Sequence, residues 1–149
     1  MNVVALSTIE TYPLRFAVLR KDTPTKQVSF PEDEWAGTWH LGIRDDQGHV
    51  VATSSWVPRN CSPVPSQRGI QLRGMATDGN LQGQGLGGLL LEAGAVLAAS
   101  CGFDLLWANA RDTALNFYTR HECQIAGDGF IDENTQLPHH LVFRWLAIR

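Results

Sequence analysis

Glycines at positions 83, 85, 87 and 88 interrupt the chain between a strand-like run and a strongly apolar helix. From Arg73 the residues are Arg-Gly-Met-Ala-Thr-Asp-Gly-Asn-Leu-Gln-Gly-Gln-Gly-Leu-Gly-Gly-Leu-Leu-Leu-Glu-Ala, ending at Ala93, and they read as strand, glycine loop, helix. The first amides of a helix have no internal partner and sit at the positive end of its dipole, so phosphate oxygens are favoured there. Glycine lets such a ligand approach the main chain because no Cβ intervenes. The loop itself must attract the anion, since the net charge of the chain is −3. That balance gives no electrostatic reason to expect nucleic acid as a partner.

Three kinds of phosphate-binding loop compete for this pattern. Gly83, Gly85 and Gly88 satisfy G-x-G-x-x-G, the dinucleotide fingerprint. In that fold the first glycine follows the strand almost directly, and an acid about 20 positions on ends the next strand. Here Asp78 to Gln82 intervene, and the next strand, near Leu105 to Asn109, ends on an amide, with Asp104 before it and Asp112 after it. A nucleotide P-loop is excluded because no Gly-Lys-Ser/Thr follows. Read as Gln-x-x-Gly-x-Gly, with Gln82, Gly85 and Gly87 in those places, the stretch resembles the acyl-CoA loop of the GNAT family of N-acetyltransferases. The later run Asn109-Ala110-Arg111-Asp112-Thr113-Ala114-Leu115-Asn116-Phe117-Tyr118 is similar to that family's second signature, a helix with a Phe-Tyr pair after a strand ending in a polar residue. The two motifs keep the family's order and spacing over residues 70–123.

The resemblance implies a mixed α+β fold of the α/β class. Its central sheet is mostly antiparallel, flanked by helices, and splayed between the Ile70 and Phe103 strands to give the coenzyme a slot. It further implies acetyl transfer from acetyl-CoA, a co-substrate, to a primary amine of a small molecule or protein in a direct ternary complex. The amides of Gln82, Gly83, Gln84, Gly85, Leu86, Gly87 and Gly88 would hold the pyrophosphate. Main-chain groups of Met75, Ala76 and Thr77 would line the pantetheine arm, as in strand addition. An amide of the same strand would serve the oxyanion. Asn109 would touch the coenzyme, and Tyr118 would protonate the departing thiolate. With reference pKa values of about 10 for the phenol and about 8.5 for a thiol, that donation is uphill by about 2 kcal/mol.

The amine side is less defined. An alkyl ammonium with a pKa of about 10.4 needs about 4 to 5 kcal/mol to reach its neutral form at pH 7, so a base is required. Several relatives place a glutamate on the strand before the loop, where Gln71, Arg73 and Met75 stand in alternate positions here. His139, beside Pro138 at the start of the last strand, is the candidate base, with packing as the competing explanation. A non-catalytic acyl-CoA sensor is the alternative function. Adjacent His139 and His140 point to opposite strand faces, and His40, His49 and His121 lack ligand spacing, so no metal is expected.

The length of 149 residues suits one domain, 1–149, with a proper core, and 44% hydrophobic with 18% charged residues is ordinary globular composition. No basic, apolar leader opens the chain, and no apolar run reaches about 18 residues, so a cytoplasmic protein without a membrane partner is expected. Cys61, Cys101 and Cys123 are odd in number and lack C-x-x-C spacing, which points to reduced thiols. Predicted strands are Val3 to Leu6, Thr38 to Asp45, Val50 to Val57, Ile70 to Thr77, Phe103 to Asn109, Gln124 to Ile131 and His140 to Leu146. The second and third form a hairpin over Asp45-Asp46-Gln47-Gly48. Ser7 and Glu10 have capping-box spacing. Pro13 then confines the first regular helix to Leu14 through Arg20, with Phe16 and Leu19 inward. Further helices are expected over Leu86 to Cys101, with little exposure, and from Ala114 to His121. Glu32-Asp33-Glu34 reads as a solvated patch. The oligomeric state is open, an exposed Trp35, Trp39 or Trp56 being the mark of a homodimer contact.

Overall fold

Strands buried on both faces from Trp39 onward build the first half of the sheet. In the computed structural model, which describes residues 1–147, β1 (Val3–Leu6), β2 (Trp39–Arg44), β3 (Val50–Pro58) and β4 (Gly69–Thr77) pair antiparallel in sequence order. The β2–β3 turn is set by Asp45, whose carboxylate accepts the amides of Gln47 and His49, while Gly48 takes φ +84°. After β4 the chain crosses over through α2 (Leu86–Ser100) to β5 (Leu105–Arg111), which lies parallel to β4. A parallel neighbour requires such a crossover. β6 (Gln124–Ile131) and β7 (Pro138–Trp145) complete a seven-stranded sheet in the order β1-β2-β3-β4-β5-β7-β6, antiparallel except between β4 and β5. The mixed, mostly antiparallel architecture expected from the resemblance is present.

The main core lies between this sheet and α2, where Trp56, Ile70, Leu90, Leu91, Ala98 and Leu106 are shielded from solvent. Gly94 is the point of closest approach: a Cβ placed there would fall 1.8 Å from Cζ2 of Trp56. Glu92, on the same helix, holds both His121 at 3.1 Å and Arg144 of β7 at 3.0 Å. These pairs tie α3 (Leu115–Arg120) and β7 to α2. Gly102 ends the crossover helix at φ +89°, as its position predicts.

Several local expectations need correction. Pro13 does not confine the first helix, because a 3-10 turn (Ile9–Thr11) leads into α1 (Tyr12–Leu14) and a π turn (Arg15–Leu19). The proline stands in the opening positions of α1, where a missing donor is tolerated. The capping contact survives in part, with Glu10 accepting from the Ser7 amide. The inward residues of this segment are Leu14 and the fully buried Arg15, whereas Phe16 is 57% exposed and Leu19 half-buried. The polar choice is possible because Glu32 and Asp33 are also buried and offer carboxylates; only Glu34 of the presumed solvated patch faces water. Trp56 is enclosed by α2 and cannot mark a subunit contact; Trp39 stacks on it at 6.3 Å, and Trp35 alone of the three is exposed. α2 leaves Leu89, Val96 and Leu97 exposed, because only one side of a single helix can face the sheet. β5 and β7 lie within two residues of their predicted positions. Among the described residues, no helix is long and apolar enough to cross a membrane.

Gly94→Ala tests the packing of α2. In an exposed helix this change adds about 1 kcal/mol of stability; here the Trp56 contact should reverse the sign and cost about 1 to 3 kcal/mol, read as a lower urea midpoint. An unchanged or raised midpoint would contradict the close approach.

Candidate active site

β4 and β5 bond to each other only over Gly69↔Leu105, Ile70↔Leu106 and Gln71↔Trp107. Beyond those pairs, Leu72 to Thr77 on one side and Ala108 to Arg111 on the other run without a mutual register, which opens a slot between the central strands. Within it β4 is bent by an extra residue opposite the Thr53–Ser55 step of β3, next to Gly74 at φ +60°. The Asp78 amide donates to Val51 of β3. Strand alternation therefore turns the main-chain groups of Thr77, and of Met75 before it, toward the slot. The Thr77 carbonyl accepts the Gln82 side-chain amide there at 3.1 Å. Met75 is half-buried beside the first turn of α2, and Ala76 is buried.

The glycine loop sits at the end of β4 with its main chain exposed. Gly83 and Gly85 adopt φ +82° and +85°, a region that only glycine enters at low cost, and nothing lies within 4 Å of where their Cβ atoms would be. Among the described residues, no protein acceptor takes the amides of Gly83, Gln84, Gly85, Leu86, Gly87 or Gly88; the first cap bond is Leu89 N–H to the Gly85 carbonyl. Six unspent donors at the head of a 15-residue helix form an anion cradle. Its back wall is α3: Phe117 would touch a Cβ on Gly87 at 3.3 Å, and His121 one on Gly88 at 2.8 Å.

The two faces of the slot differ chemically. On the α2 side, Tyr118 is 8% exposed in the main core, edge-on to Phe117 at 5.2 Å. Burial, with a smaller contribution from Cys123, holds its pKa well above the ordinary phenol value, so it is a proton donor at neutral pH. On the opposite face lie Trp107, Asn109 and Arg111 of β5, with Leu141 and His139 of β7 paired across from Asn109 and Arg111. His139 is buried and stacks at 5.8 Å on Phe130; its Nδ1 lies 2.8 Å from the Leu137 carbonyl. Donation from Nδ1 leaves Nε2 as an acceptor in the neutral ring. Asn109 is exposed and lines a cavity of about 620 Å³ with Cys61, Trp107, Phe130 and Leu141. Tyr118 thus lies on the α2 side of the sheet, and His139 and Asn109 on the other. Among the described residues, no group of three His, Cys, Asp or Glu is arranged to hold a metal.

The segment before β2 walls this second face through ion pairs. Arg15 makes a two-pronged contact with Asp33, both arms at 2.9 Å, and also bonds Ser55 of β3 and the Val28 carbonyl. Ser55 in turn meets His40 at 2.7 Å. Burial alone would raise the Asp33 pKa, but Arg15 and the Phe30 amide outweigh it and hold the carboxyl below its ordinary value. Arg73 of β4 pairs with Glu32, and its guanidinium lies 4.2 Å from the Phe30 ring centre, with that of Arg15 at 4.0 Å. Sequence reasoning passed over these arginines because they follow no period and belong to no motif.

A model described as the acetyltransferase (GNAT) family matches residues 7–122. The chain is 28% identical over 130 residues to the uncharacterized N-acetyltransferase YitI of Bacillus subtilis (strain 168), covering 87% of each. Its fold is similar to that of an acyl-CoA N-acyltransferase from Pseudomonas aeruginosa, with TM-score 0.76, 19% identity, and 96% and 98% of the two chains covered. It is also similar to that of an aminoglycoside 6'-N-acetyltransferase crystallised with coenzyme A, with TM-score 0.74, 12% identity, and 100% and 99% covered.

Removing one partner of a buried ion pair leaves the other charge uncompensated. Asp33→Ala should lower stability by about 3 to 5 kcal/mol at pH 7. Because the folded pKa is depressed, the contribution of Asp33 is complete above its unfolded value of about 3.9 and fades as pH falls through the lower folded value. Denaturant titrations should therefore show wild type and variant converging in acid; a constant difference across that range would contradict the assignment.

Proposed function

Since the chain belongs to the acetyltransferase (GNAT) family and is an acyl-CoA N-acyltransferase, we propose that it transfers the acetyl group of acetyl-CoA to a primary amine by direct attack, with Tyr118 as general acid. The observation carrying this reading is the juxtaposition of the unspent amides of Gly83 to Gly88 with the slot that opens past Gln71 and Trp107. A diphosphate on those amides directs a pantetheine arm along the inward-turned main chain of Met75 and Thr77. An amide of that strand stabilises the oxyanion, without charge reorganisation at the moment of transfer. Asn109 contributes from the facing strand.

The amine approaches from the face opposite α2, because the near face is filled by α2 and α3. His139 is the base proposed there, through the free Nε2. As nitrogen attacks, the carbonyl oxygen takes up negative charge, and collapse of the adduct expels the thiolate toward Tyr118. Burial raises the pKa of the phenol, and it raises that of a thiol in the same low-dielectric surroundings. The two values move together, which keeps the proton transfer near the modest gap between the free groups. A non-catalytic acyl-CoA sensor is the alternative reading, favoured by Arg73 and Met75 standing where relatives place a glutamate.

Tyr118→Phe separates the two readings. As an enzyme with a tyrosine acid, the protein should lose about 10² to 10³ in kcat for thiol release in the variant, with the coenzyme Kd changed less than about threefold. Unaltered kcat would dismiss Tyr118 as the acid. Absence of turnover in the wild type with any amine, with coenzyme binding intact, would favour the sensor.

A further inference from the structure

Among the described residues, two guanidiniums at the end of β5, those of Arg111 and Arg20, have no carboxylate in direct contact. Arg111, the last residue of β5, donates from Nη2 to the Leu19 carbonyl at 2.7 Å, and Arg20 reaches the same oxygen from Nη1 at 3.4 Å. Arg20 also donates from Nε to the Gln27 carbonyl at 2.7 Å, so neutral carbonyls alone hold the two charges within several ångströms of each other. Among the described residues, neither lies within salt-bridge distance of an acid, although Arg20 is only 9% exposed and Arg111 is half-buried. The two neighbouring arginines differ in this respect, since Arg15 is matched by Asp33 and Arg73 by Glu32. Asp132 is near enough to be felt, but its carboxylate accepts the amides of Asn134 and Thr135 instead of a guanidinium. Asp22 acts on Arg111 at a distance as well, and burying two like charges without a direct carboxylate partner is unfavourable unless something supplies the anion. Burial, then the charges of Arg111 and Arg15, lower the pKa of Arg20, as expected for a locally positive field.

The position of this pair fits an acceptor. Trp107, Asn109 and Arg111 alternate along one face of β5, so Arg111 stands about 7 Å beyond Asn109. The cavity of about 620 Å³ is lined by Trp107 and Asn109 of the same strand face, with Asp128 its one charged residue, and Arg111 stands one step beyond that lining. His139, directly across the ladder from Arg111, is on the same face. Resting on the acyl-transfer reading above, we propose that the acceptor amine also carries a carboxylate, bound by Arg111 with Arg20 while its nitrogen points into the slot. Arginine presents a planar fork that matches a carboxylate with two parallel hydrogen bonds. The same field repels polycationic acceptors, so diamines and aminoglycosides are disfavoured by the charges that favour amino acids.

The test is steady-state kinetics of thiol release with acetyl-CoA and matched acceptors: glycine, β-alanine, 4-aminobutyrate and glutamate, each beside its carboxamide, with putrescine as the cationic probe. At least one acid should exceed its carboxamide by tenfold or more in kcat/KM and exceed putrescine by more. Arg111→Gln should reduce that acid-to-amide ratio at least tenfold, mainly through KM, and Arg111→Lys should restore part of it. A KM for acetyl-CoA within about twofold of wild type shows that the loop is intact. Turnover that favours amides or putrescine, or an acid preference unmoved by Arg111→Gln, overturns this inference and leaves acyl transfer standing. Where no amine is turned over, calorimetric titration of the coenzyme-loaded protein with N-acetylglycine and N-acetylglycinamide decides. Carboxylate-dependent binding lost in Arg111→Gln upholds the site while acyl transfer fails, and equal or absent binding overturns it.

Discussion

A parallel pair of strands that stops bonding after Gln71 and Trp107 leaves main-chain donors and acceptors exposed in the middle of a sheet. Buried groups of that kind are rarely left unmet, so the gap behaves as a vacant strand position. The rest of the architecture follows from it. Parallel neighbours need a crossover, and the crossover here is α2, whose first turn must begin where β4 ends. The open strand edges and the free helix amides are consequently delivered to one place by the topology alone. Gly74 widens the gap by bending β4, and the left-handed Gly83 and Gly85 turn the chain from strand into helix while keeping their N–H groups outward. Binding sites outside the carboxyl ends of parallel strands arise in the same way in other open sheets.

The two faces meeting at this gap were built by different forces. The α2 face is an ordinary apolar core, held by area removed from water and by the close contact between Gly94 and Trp56. A phenol in those surroundings stays protonated. The opposite face is held by ion pairs, with Arg15 and Arg73 locked to Asp33 and Glu32 and both packed on Phe30. Fully paired charges of this kind add little net stability compared with an apolar substitute, but they fix geometry strictly, because displacing either partner exposes the full desolvation cost of the other. Rigidity on that face is what an acceptor site needs if a nitrogen is to meet a thioester in a narrow range of angles.

Legibility in the sequence divided along the same line. Gly83 and Gly85 marked the turn in the sequence because glycine frees the main chain, and their left-handed φ values agree with that choice of residue. The Asp45–Gly48 turn between β2 and β3 was readable for the same local reason. Glu122 shows the limit: at φ +65° it occupies a left-handed position where glycine is the easier residue, and its side chain gives no sign of it. Burial of Arg15, Glu32 and Asp33 was illegible because it is a property of a set. Each charge alone looks solvated, and only the folded chain, which brings positions 15, 33 and 55 together, reveals that they satisfy one another. Phe16 was misjudged by the converse error, an apolar residue assumed inward on a helix whose inner position a paired arginine already filled.

The means by which the parts are joined bears on how such a frame can change its acceptor. The cradle and the slot are made of main chain, so most side-chain substitutions there alter little provided the glycines and the crossover remain. Residues 9–34 contribute no strand to the sheet and are attached to it through side chains, above all the Arg15 arm on Ser55 and the Glu32 pair with Arg73. On the proposed reading, replacing Arg20 or Arg111 would alter the charge presented to an incoming amine without disturbing a sheet hydrogen bond, since Arg111 donates to the Leu19 carbonyl and Arg20 to the Leu19 and Gln27 carbonyls. On that reading, acceptor choice rests on side chains, and coenzyme handling mainly on main chain. A chain built this way can exchange the first while the backbone that serves the second stays as it is.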